Sequence, residues 1–281
     1  MTLSAFDPLP RVLFADDFDN GLNGWITVIG NYEDSLDSII PEYQGWQAPM
    51  LSNLTMWDTG TAGSLNGVYA MKLATRPREA SIAHAMKRLT SRRAVRVRIE
   101  YYFAFKPEPS RMRLLDTDVR CVGFGFDIQQ SVRAAEPRYR THPMVRYLNC
   151  WQGDRVRRWQ YRDTHESFRD IGGRKEMVSF CPYTSRDWKD LPGAEQPLCY
   201  NEIPTKVNWH YFSLDFDLAT ASYMRMQCND HEFDLRSIPP IRIPAMPNLW
   251  CMLQPLVWVE SDTGNRAFLY IDSAVLSAEA L

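Results

Sequence analysis

Alternation of apolar and polar residues with a period of two recurs from the start of the chain to its end, and this feature most limits the possible folds. The segments 93–105 and 121–129 show it most clearly, with an apolar or aromatic residue at nearly every second position. Segments 144–162 and 209–229 each resemble two strands joined by a short turn. Helical periodicity is scarce, and its best short candidate is 184–191. Because the strands follow one another without crossover helices, the pattern predicts an all-β antiparallel sandwich.

The two ends of the chain are matched in character. Segment 14–18 has the sequence Phe-Ala-Asp-Asp-Phe, and segment 267–276 is a final, mainly apolar run. We expect these ends to form the first and last strands and to lie side by side. The irregular segments 30–66 and 163–206 are predicted to be long loops, which often carry function. No linker divides the chain, so we expect a single domain over 1–281.

The composition suits a large β-sheet core. Of 281 residues, 45% are hydrophobic, and 13 Phe, 9 Trp and 13 Tyr favour strands. No apolar run is long enough to span a bilayer. The first residues have neither a basic start nor an apolar stretch, which predicts a cytoplasmic protein without a signal peptide, secreted only if a leader has been removed. The six cysteines lack metal-type spacing, which favours buried free thiols.

Charge is unevenly distributed along the chain, although the net charge is only −2. Residues 1–60 hold nine acids and one base, whereas residues 92–175 hold 17 Arg and two Lys against ten acids. Because arginine binds planar anions with two parallel hydrogen bonds, the second block is compatible with an acidic glycan. The alternative is that the two blocks face each other or cover solvated strand faces.

Three segments together resemble a known superfamily. They are 14–18 with Trp25 soon after, the stretch 207–218 with the hairpin that follows it, and 270–276. The second contains Trp-His followed by alternating apolar residues and an aspartate. In combination they are similar to the concanavalin A-like lectin/glucanase superfamily, the jelly roll shared by laminin-G-like modules and family-16-type glycoside hydrolases. The resemblance implies a concanavalin A-like jelly roll with long loops, in a bacterial family without an established activity.

The resemblance also implies carbohydrate binding or processing in a groove on the concave sheet. Family-16-type enzymes carry Glu-x-Asp-x-x-Glu on a central strand, which supplies a nucleophile and an acid. This chain has no such triplet, and its nearest segment, 125–130, contains one acid, Asp127. Retaining glycosidase chemistry by that route is therefore not expected.

A structural calcium ion is a further implication of the resemblance. Similar jelly rolls hold one near both termini, and by position its ligands here would be Asp17, Gly67 and Asp272. Calcium prefers hard oxygen ligands of this kind. The alternative is that Asp272 only caps a loop through hydrogen bonds. No organic cofactor is expected.

A glycan-binding face is the next hypothesis, because glycans bind to aromatic rings and planar polar groups. The candidates, taken by alternation within each strand, are Arg98, Glu100, Tyr102, Asp127, Gln129, Asn149, Trp151, Trp159, Gln254 and Trp258. Polar residues at alternating positions of central strands need water or a ligand, which favours this interpretation. For each tryptophan the alternative is an ordinary place in the core.

Lyase chemistry on a uronate polysaccharide would need a charge neutraliser and a base. The region 138–165 offers Tyr139, His142, Arg146 and His165 as candidates for these roles. The alternative is a basic surface loop with ordinary histidines. The Gln-Ile-His strand motif of jelly-roll alginate lyases is absent.

The expected partner is an oligosaccharide or polysaccharide, with acidic polymers among the candidates. A non-catalytic structural or oligomerisation domain, including a homo-oligomer, is the alternative from a different class. Phosphate-binding loops, dinucleotide-binding glycine patterns and nucleophile-elbow motifs are absent. The isoelectric point near 6.2 argues against a nucleic-acid partner, and no membrane partner is predicted.

Overall fold

The computed structural model describes residues 3–27, 45–52, 63–108, 116–129, 139–164, 166–171, 174–180, 187–198, 207–245 and 251–280. These residues form short 3-10 helices at Leu3–Ala5 and Asp116–Asp118 together with strands. In chain order the strands are β1 (Arg11–Asp16), β2 (Trp25–Ile26), β3 (Met50–Leu51), β4 (Met71–Ala74), β5 (Ile82–Lys87), β6 (Arg96–Pro107), β7 (Val119–Gln129), β8 (Tyr139–His142), β9 (Met144–Trp151), β10 (Asp154–Tyr161), β11 (Glu166–Ile171), β12 (Arg174–Phe180), β13 (Lys189–Glu195), β14 (His210–Asp217), β15 (Ser222–Cys228), β16 (His231–Asp234), β17 (Ile241–Pro244), β18 (Met252–Ser261) and β19 (Ala267–Ala278).

The strands form two large antiparallel sheets. Sheet A has the order β16-β15-β14-β6-β19-β4-β3, and β1 also pairs with β19. Sheet B has the order β13-β10-β9-β7-β18-β5-β2, with β8 and β17 attached beside β7. Strands β11 and β12 pair separately. The predicted all-β antiparallel sandwich, the architecture that the jelly-roll resemblance implies, is therefore confirmed. Within the described ranges, no helix has the length and apolarity needed to cross a membrane.

The core between the sheets is built from the apolar positions of the alternating strands. Tyr101 and Phe103 of β6 are fully buried, and so are Phe124 of β7 and Phe212 of β14. The rings of Phe124 and Phe212 stack with 4.2 Å between their centroids, which joins sheet B to sheet A. Since successive side chains of a strand point to opposite faces, the residues between these positions lie on the outer faces of the sheets.

The predicted pairing of the two ends is confirmed. Strand β1 runs antiparallel to β19, with Arg11 opposite Ala278 and Asp16 opposite Ala274. The predicted hairpin within 144–162 is also present, formed by β9 and β10. Its turn lies at Gln152 and Gly153, which both have positive φ, as two-residue hairpin turns require.

A second apolar cluster lies on the outer face of sheet B. It contains Trp258 and Leu256 of β18, Met144 of β9 and Trp188, all buried, with Trp46 packed against it. Trp188 and Trp258 have ring centroids 6.0 Å apart. Much of this face is therefore covered by protein rather than solvated.

Three smaller predictions have different outcomes. The segment 163–206, predicted to be a long loop, instead contains β11, β12 and β13 among its described residues. The helix candidate at 184–191 is wrong where the structure describes it, because residues 189–191 belong to edge strand β13. Cys121, Cys150, Cys228 and Cys251 are buried and free, as predicted. Cys181 and Cys199 lie outside the described residues.

Candidate functional site

The predicted glycan-binding residues do not share one face of the sandwich. Arg98, Glu100 and Tyr102 lie on the outer face of sheet A, where the N-terminal segment 3–10 covers them. Asp7 N–H donates to Glu100 Oε1 at 2.7 Å, and Tyr102 O–H donates to the carbonyl oxygen of Ala5 at 2.8 Å. The chain itself therefore provides the hydrogen-bond partners that we expected water or a ligand to provide. A single binding face that combines these three residues with the other predicted glycan-binding residues is therefore excluded.

Four other predicted residues lie on the outer face of sheet B. Asp127 is opposite Gln254 in the β7–β18 pairing, and Gln129 is two positions further along β7. Trp258 covers Gly123, where a Cβ atom would lie 2.0 Å from the indole ring. These four share one side of sheet B; alternation predicts this within each strand, and the register joins the two strands.

The remaining three predicted ligand-binding residues belong to other environments. Trp159 is fully buried in the core between the sheets, so the core alternative holds for it. Asn149 Nδ2 donates to the carbonyl oxygens of Asp116 and Val119 at 2.8 and 3.0 Å, which holds the 3-10 helix in place. The guanidinium carbon of Arg120 lies 4.9 Å from the ring centre of Trp151.

The lyase candidates do not converge on one point. His142 Nε2 lies 2.9 Å from Asp127 Oδ1, and Arg140 Nε donates to the same oxygen at 2.6 Å. Tyr139 is three positions from His142 along β8 and is 54% exposed, so the two point to opposite sides of the strand. Arg146 is buried on β9 and donates to Gln160. His165 lies outside the described residues.

Asp127 is held as an anion in this arrangement. Burial alone would raise the pKa of its carboxyl group, but the charges and hydrogen bonds of Arg140 and His142 hold the pKa well below its usual value. A carboxylate with so low a pKa is a poor acid or base near neutral pH. The Asp127 group therefore fits a structural ion pair better than lyase chemistry.

The predicted calcium residues lie around the loop 64–69. The buried Oδ2 atom of Asp272 accepts hydrogen bonds from the backbone N–H groups of Leu65 and Asn66. Asp19, rather than Asp17, approaches Gly67, and its Oδ1 atom accepts hydrogen bonds from Val68 and Tyr69 at 2.6 and 3.0 Å.

These contacts match the alternative in which Asp272 caps a loop. Backbone N–H donors occupy one oxygen of each carboxylate, Oδ2 of Asp272 and Oδ1 of Asp19, so hydrogen bonds are sufficient to explain how the loop is held. Within the described residues, no group of three or more His, Cys, Asp or Glu side chains is placed to hold a metal ion. The calcium site remains a prediction. A calcium-induced rise in melting temperature that Asp272→Asn abolishes would support it.

The loop cap makes stability depend on pH. Burial raises the pKa of Asp272 from 3.8 to about 6, although the N–H groups of Asn66 and Leu65 favour the charged form. A carboxyl group with a raised folded pKa contributes its stabilisation below its unfolded pKa and loses it as pH rises through the folded pKa. We therefore expect Asp272→Asn to gain stability relative to the wild-type protein as pH rises from about 4 to about 7, measured by urea unfolding.

Asp19→Asn is the matched control with the opposite sign. Hydrogen bonds from Val68 and Tyr69 lower the pKa of Asp19, so its stabilisation is present at neutral pH and disappears as pH falls below its usual value of 3.8. Asp19→Asn should therefore be less stable than the wild-type protein at neutral pH, and this difference in stability should disappear in acid. If the free energies of unfolding of Asp272→Asn and the wild-type protein changed in parallel with pH, the raised pKa of Asp272 in the folded protein would be contradicted.

The side chains best placed for recognition form a row across the outer face of sheet B, here called the outer-face row. Its members, which are partners in the strand register, are Asp190, Gln160, Arg146, Gly123, Trp258 and His84. Arg146 Nε donates to Gln160 Oε1 at 2.9 Å, and Gln160 Nε2 donates to Asp190 Oδ1 at 2.8 Å. The Arg146 guanidinium carbon lies 4.5 Å from the centre of a Trp188 ring. The row therefore joins planar polar groups to an aromatic ring.

The outer-face row changes from buried to accessible along its length. Burial lowers the pKa of His84 at one end to about 3, so this histidine is neutral at physiological pH. At the other end the Asp190 side chain is 42% exposed and accepts from Arg158 Nη1 at 2.7 Å. A ligand can reach the row at Asp190 and Arg158.

Three members of this region were missed by the sequence analysis. On β10 the predicted ligand-binding residue was Trp159, whereas Arg158 and Gln160 lie on the opposite, outer face. Alternation shows that these two sets are opposed but does not show which one faces outward. Asp190 lies in the segment that we predicted to be a helix.

Two carboxylates beside the row are also paired with arginine. Glu260 is fully buried, and burial raises its pKa, while Arg120 Nη1 donates to its Oε1 atom at 2.6 Å. Asp127 is engaged by Arg140, as described above. Arg120 Nε also donates to Asp262 Oδ1 at 2.5 Å, so Glu260 shares its arginine with a second carboxylate.

Comparisons with known proteins place the chain in a family. A family model described as a domain of unknown function, DUF6772, matches residues 1–280. The comparison with curated proteins found no match.

Solved structures with a similar course of the chain include carbohydrate-related proteins. The potassium-bound Emp46p carbohydrate recognition domain is 9% identical, with a TM-score of 0.40 and coverage of 98% of this chain and 97% of that chain. Alginate lyase Aly36B, as a mutant with alginate tetrasaccharide, is 12% identical, with a TM-score of 0.41 and coverage of 83% and 94%. A legume lectin-like domain from Entamoeba histolytica is 6% identical, with a TM-score of 0.40 and coverage of 90% and 100%.

Likeness at this level carries no argument about ligand or activity. The match to the family model shows family membership, because it extends over nearly the whole chain. The chain belongs to the DUF6772 family.

Proposed function

We propose that this protein binds a saccharide at the accessible end of the outer-face row on sheet B. The observation that carries the proposal is the chain of hydrogen bonds from Arg146 through Gln160 to Asp190, beside Trp188. Sugars present hydroxyl groups that both donate and accept hydrogen bonds. Asp190 and Arg158 offer an acceptor and a donor side by side, with a separation of 2.7 Å.

The support for recognition is the fixed orientation of these groups. Gln160 and Arg146 are almost completely buried, so neither is free to turn toward a different partner. Asp190 is bound on one oxygen by Gln160 and on the other by Arg158. Binding groups that are already ordered lose less conformational entropy when a ligand arrives.

Binding is favoured over catalysis. General acid–base chemistry on a glycosidic bond needs two carboxyl groups about 5–9.5 Å apart with separated pKa values. On the outer face of sheet B, Asp127 and Glu260 are each neutralised by an arginine. A hydrolase or lyase activity remains the alternative, and the region 138–165 is the predicted location of the lyase residues.

An acidic ligand has no support at this site. Several described arginines of the basic block are paired with carboxylates on neighbouring strands, as Arg158 is with Asp190 and Arg140 with Asp127. The acidic block contributes Asp7, which pairs with Arg98 at 2.5 Å. A neutral saccharide therefore fits the outer-face row best.

A glycan array and a depolymerisation screen, each with Asp190→Ala, would test the proposal. We expect the wild-type protein to bind at least one neutral glycan and Asp190→Ala to bind it about tenfold more weakly, since about 1.4 kcal/mol is a typical cost of a lost hydrogen bond. Glu108→Ala is the matched control, because Glu108 is an exposed partner of Arg266 elsewhere on the molecule. Equal binding by Asp190→Ala would contradict the site, and released products would establish the enzyme alternative.

A further inference from the structure

Three Asn-Gly pairs lie at the surface of the molecule. They are Asn20-Gly21 and Asn23-Gly24, which follow β1, and Asn66-Gly67, which lies in the loop 64–69. All three asparagines are exposed to solvent. Asparagine is one of the chemically labile residues of proteins, so each pair is a candidate for modification.

The chemistry of an Asn-Gly pair needs only water. The backbone nitrogen of the glycine attacks the side-chain amide carbon of the asparagine, and the absence of a glycine side chain leaves this approach open. A new C–N bond closes a succinimide ring, while the amide nitrogen leaves as ammonia and takes the proton of the glycine N–H. Water then breaks one of the two C–N bonds of the ring, which yields aspartate or isoaspartate. The result is a carboxylate in place of a neutral amide.

The structure restrains the first two pairs. The N–H of Gly21 donates to a backbone carbonyl oxygen 3.1 Å away, so its nitrogen is engaged. Asn23 and Gly24 are the central residues of a tight turn, with φ values of 48° and 85°. A backbone hydrogen bond of 2.9 Å from the buried residue Trp25 closes this turn. In both pairs a hydrogen bond must break before the backbone can rearrange for attack.

The third pair lacks this protection. Among the described residues, neither the N–H of Gly67 nor the side-chain amide of Asn66 has a hydrogen-bond partner. The loop is held on either side of the reacting groups instead. The N–H of Asn66 donates to Asp272 Oδ2 at 2.8 Å, and the N–H of Val68 donates to Asp19 Oδ1 at 2.6 Å. The nucleophile and the amide of this pair are therefore both available.

We propose that Asn66 is a modification site that deamidates spontaneously, and that its deamidation loosens the loop 64–69. The new carboxylate belongs to the residue whose own N–H binds Asp272, and Asp19 binds the loop two residues further on. Like charges at this separation repel each other. The modification would therefore weaken the two carboxylate caps that hold the loop. This site does not depend on the proposed saccharide site on sheet B.

Incubation of the full-length protein in warm, mildly alkaline buffer, followed by proteolysis and mass spectrometry, would test the modification. We expect Asn66 to deamidate about tenfold faster than Asn20 or Asn23, because breaking one hydrogen bond first slows a reaction by about that factor. Asn66→Gln should abolish the fast reaction, since the longer side chain closes a larger ring. Asn20→Gln is the matched control and should leave it unchanged. A rate at Asn66 no higher than at the other two sites would overturn the proposal.

Melting temperatures of Asn66→Asp and Asn66→Ser at low ionic strength would test the loosening of the loop. Asn66→Asp imitates the charge of the product and should melt at a lower temperature than Asn66→Ser, which stays neutral. The difference should shrink when both changes are made together with Asp272→Asn, because one of the repelling carboxylates is then absent. Equal melting temperatures for Asn66→Asp and Asn66→Ser, or a difference that Asp272→Asn leaves unchanged, would overturn the proposed loosening.

Discussion

Replacement of Asp215 by alanine is expected to lower the free energy of unfolding by about 3–5 kcal/mol. The Asp215 carboxylate is fully buried on the outer face of sheet A. It accepts hydrogen bonds from Arg98 Nε at 2.7 Å and Nη2 at 3.0 Å, and also from Arg96. Without it, two guanidinium groups lose their shared partner, and Arg98, buried beneath the N-terminal segment, keeps only the exposed carboxylate of Asp7 as an acidic partner. A buried charge left without compensation is costly because the protein interior solvates it poorly.

Urea unfolding of Asp215→Ala, Asp215→Asn and Asp234→Ala would measure this effect. Asp215→Asn keeps an acceptor but loses the charge, so its loss should be intermediate. Asp234 occupies the same row of sheet A, opposite Arg225, but its side chain is 60% exposed. Asp234→Ala should therefore change stability by less than about 1 kcal/mol. Similar losses for Asp215→Ala and Asp234→Ala would contradict the role given to burial.

Gly125→Ala is the second change with a large expected effect, a loss of about 3 kcal/mol. A Cβ atom on Gly125 would lie 2.3 Å from the carbonyl oxygen of Pro143. That carbonyl cannot turn away easily, because it accepts a hydrogen bond from Phe126 N–H at 3.0 Å. The added methyl group would force the backbone of β7 and the start of β9 apart.

Gly264→Ala and Gly123→Ala provide the comparison for this prediction. No atom lies within 4 Å of a Cβ at Gly264, so Gly264→Ala should leave stability unchanged or slightly raise it. At Gly123 the nearest atoms belong to the side chain of Trp258. Trp258→Phe should therefore partly restore Gly123→Ala but not Gly125→Ala. Thermal unfolding of the three glycine variants, and of Gly123→Ala and Gly125→Ala each combined with Trp258→Phe, would measure these effects. An unchanged melting temperature for Gly125→Ala would show that the two strands can separate at little cost.

Local sequence patterns predicted the long central strands and their faces, but not β11, β12 and β13 in the segment predicted to be a loop. Alternation in β6 and β7 identified the core positions, such as Phe103 and Phe124, because neighbouring side chains in a strand must point to opposite sides. The same rule correctly placed Asp127 and Gln129 together. The edge strand β13 was missed, because its pairing with distant β10 stabilises it and its own sequence has no clear alternation.

The contacts of the candidate site were harder to predict from the sequence than the strands. Arg98, Glu100 and Tyr102 share a face with one another, as alternation indicates, but their partners come from the N-terminal segment, about ninety residues away in the chain. Asp190 meets Gln160 only because β13 pairs with β10.

The sequence by itself determined the long central strands and the two-sided pattern of each one, because these depend on local sterics and on the burial of apolar side chains. Only the tertiary structure decided which polar face is covered by the chain and which one remains accessible. Strand order and register bring together residues that are far apart in sequence, and no local pattern specifies those contacts.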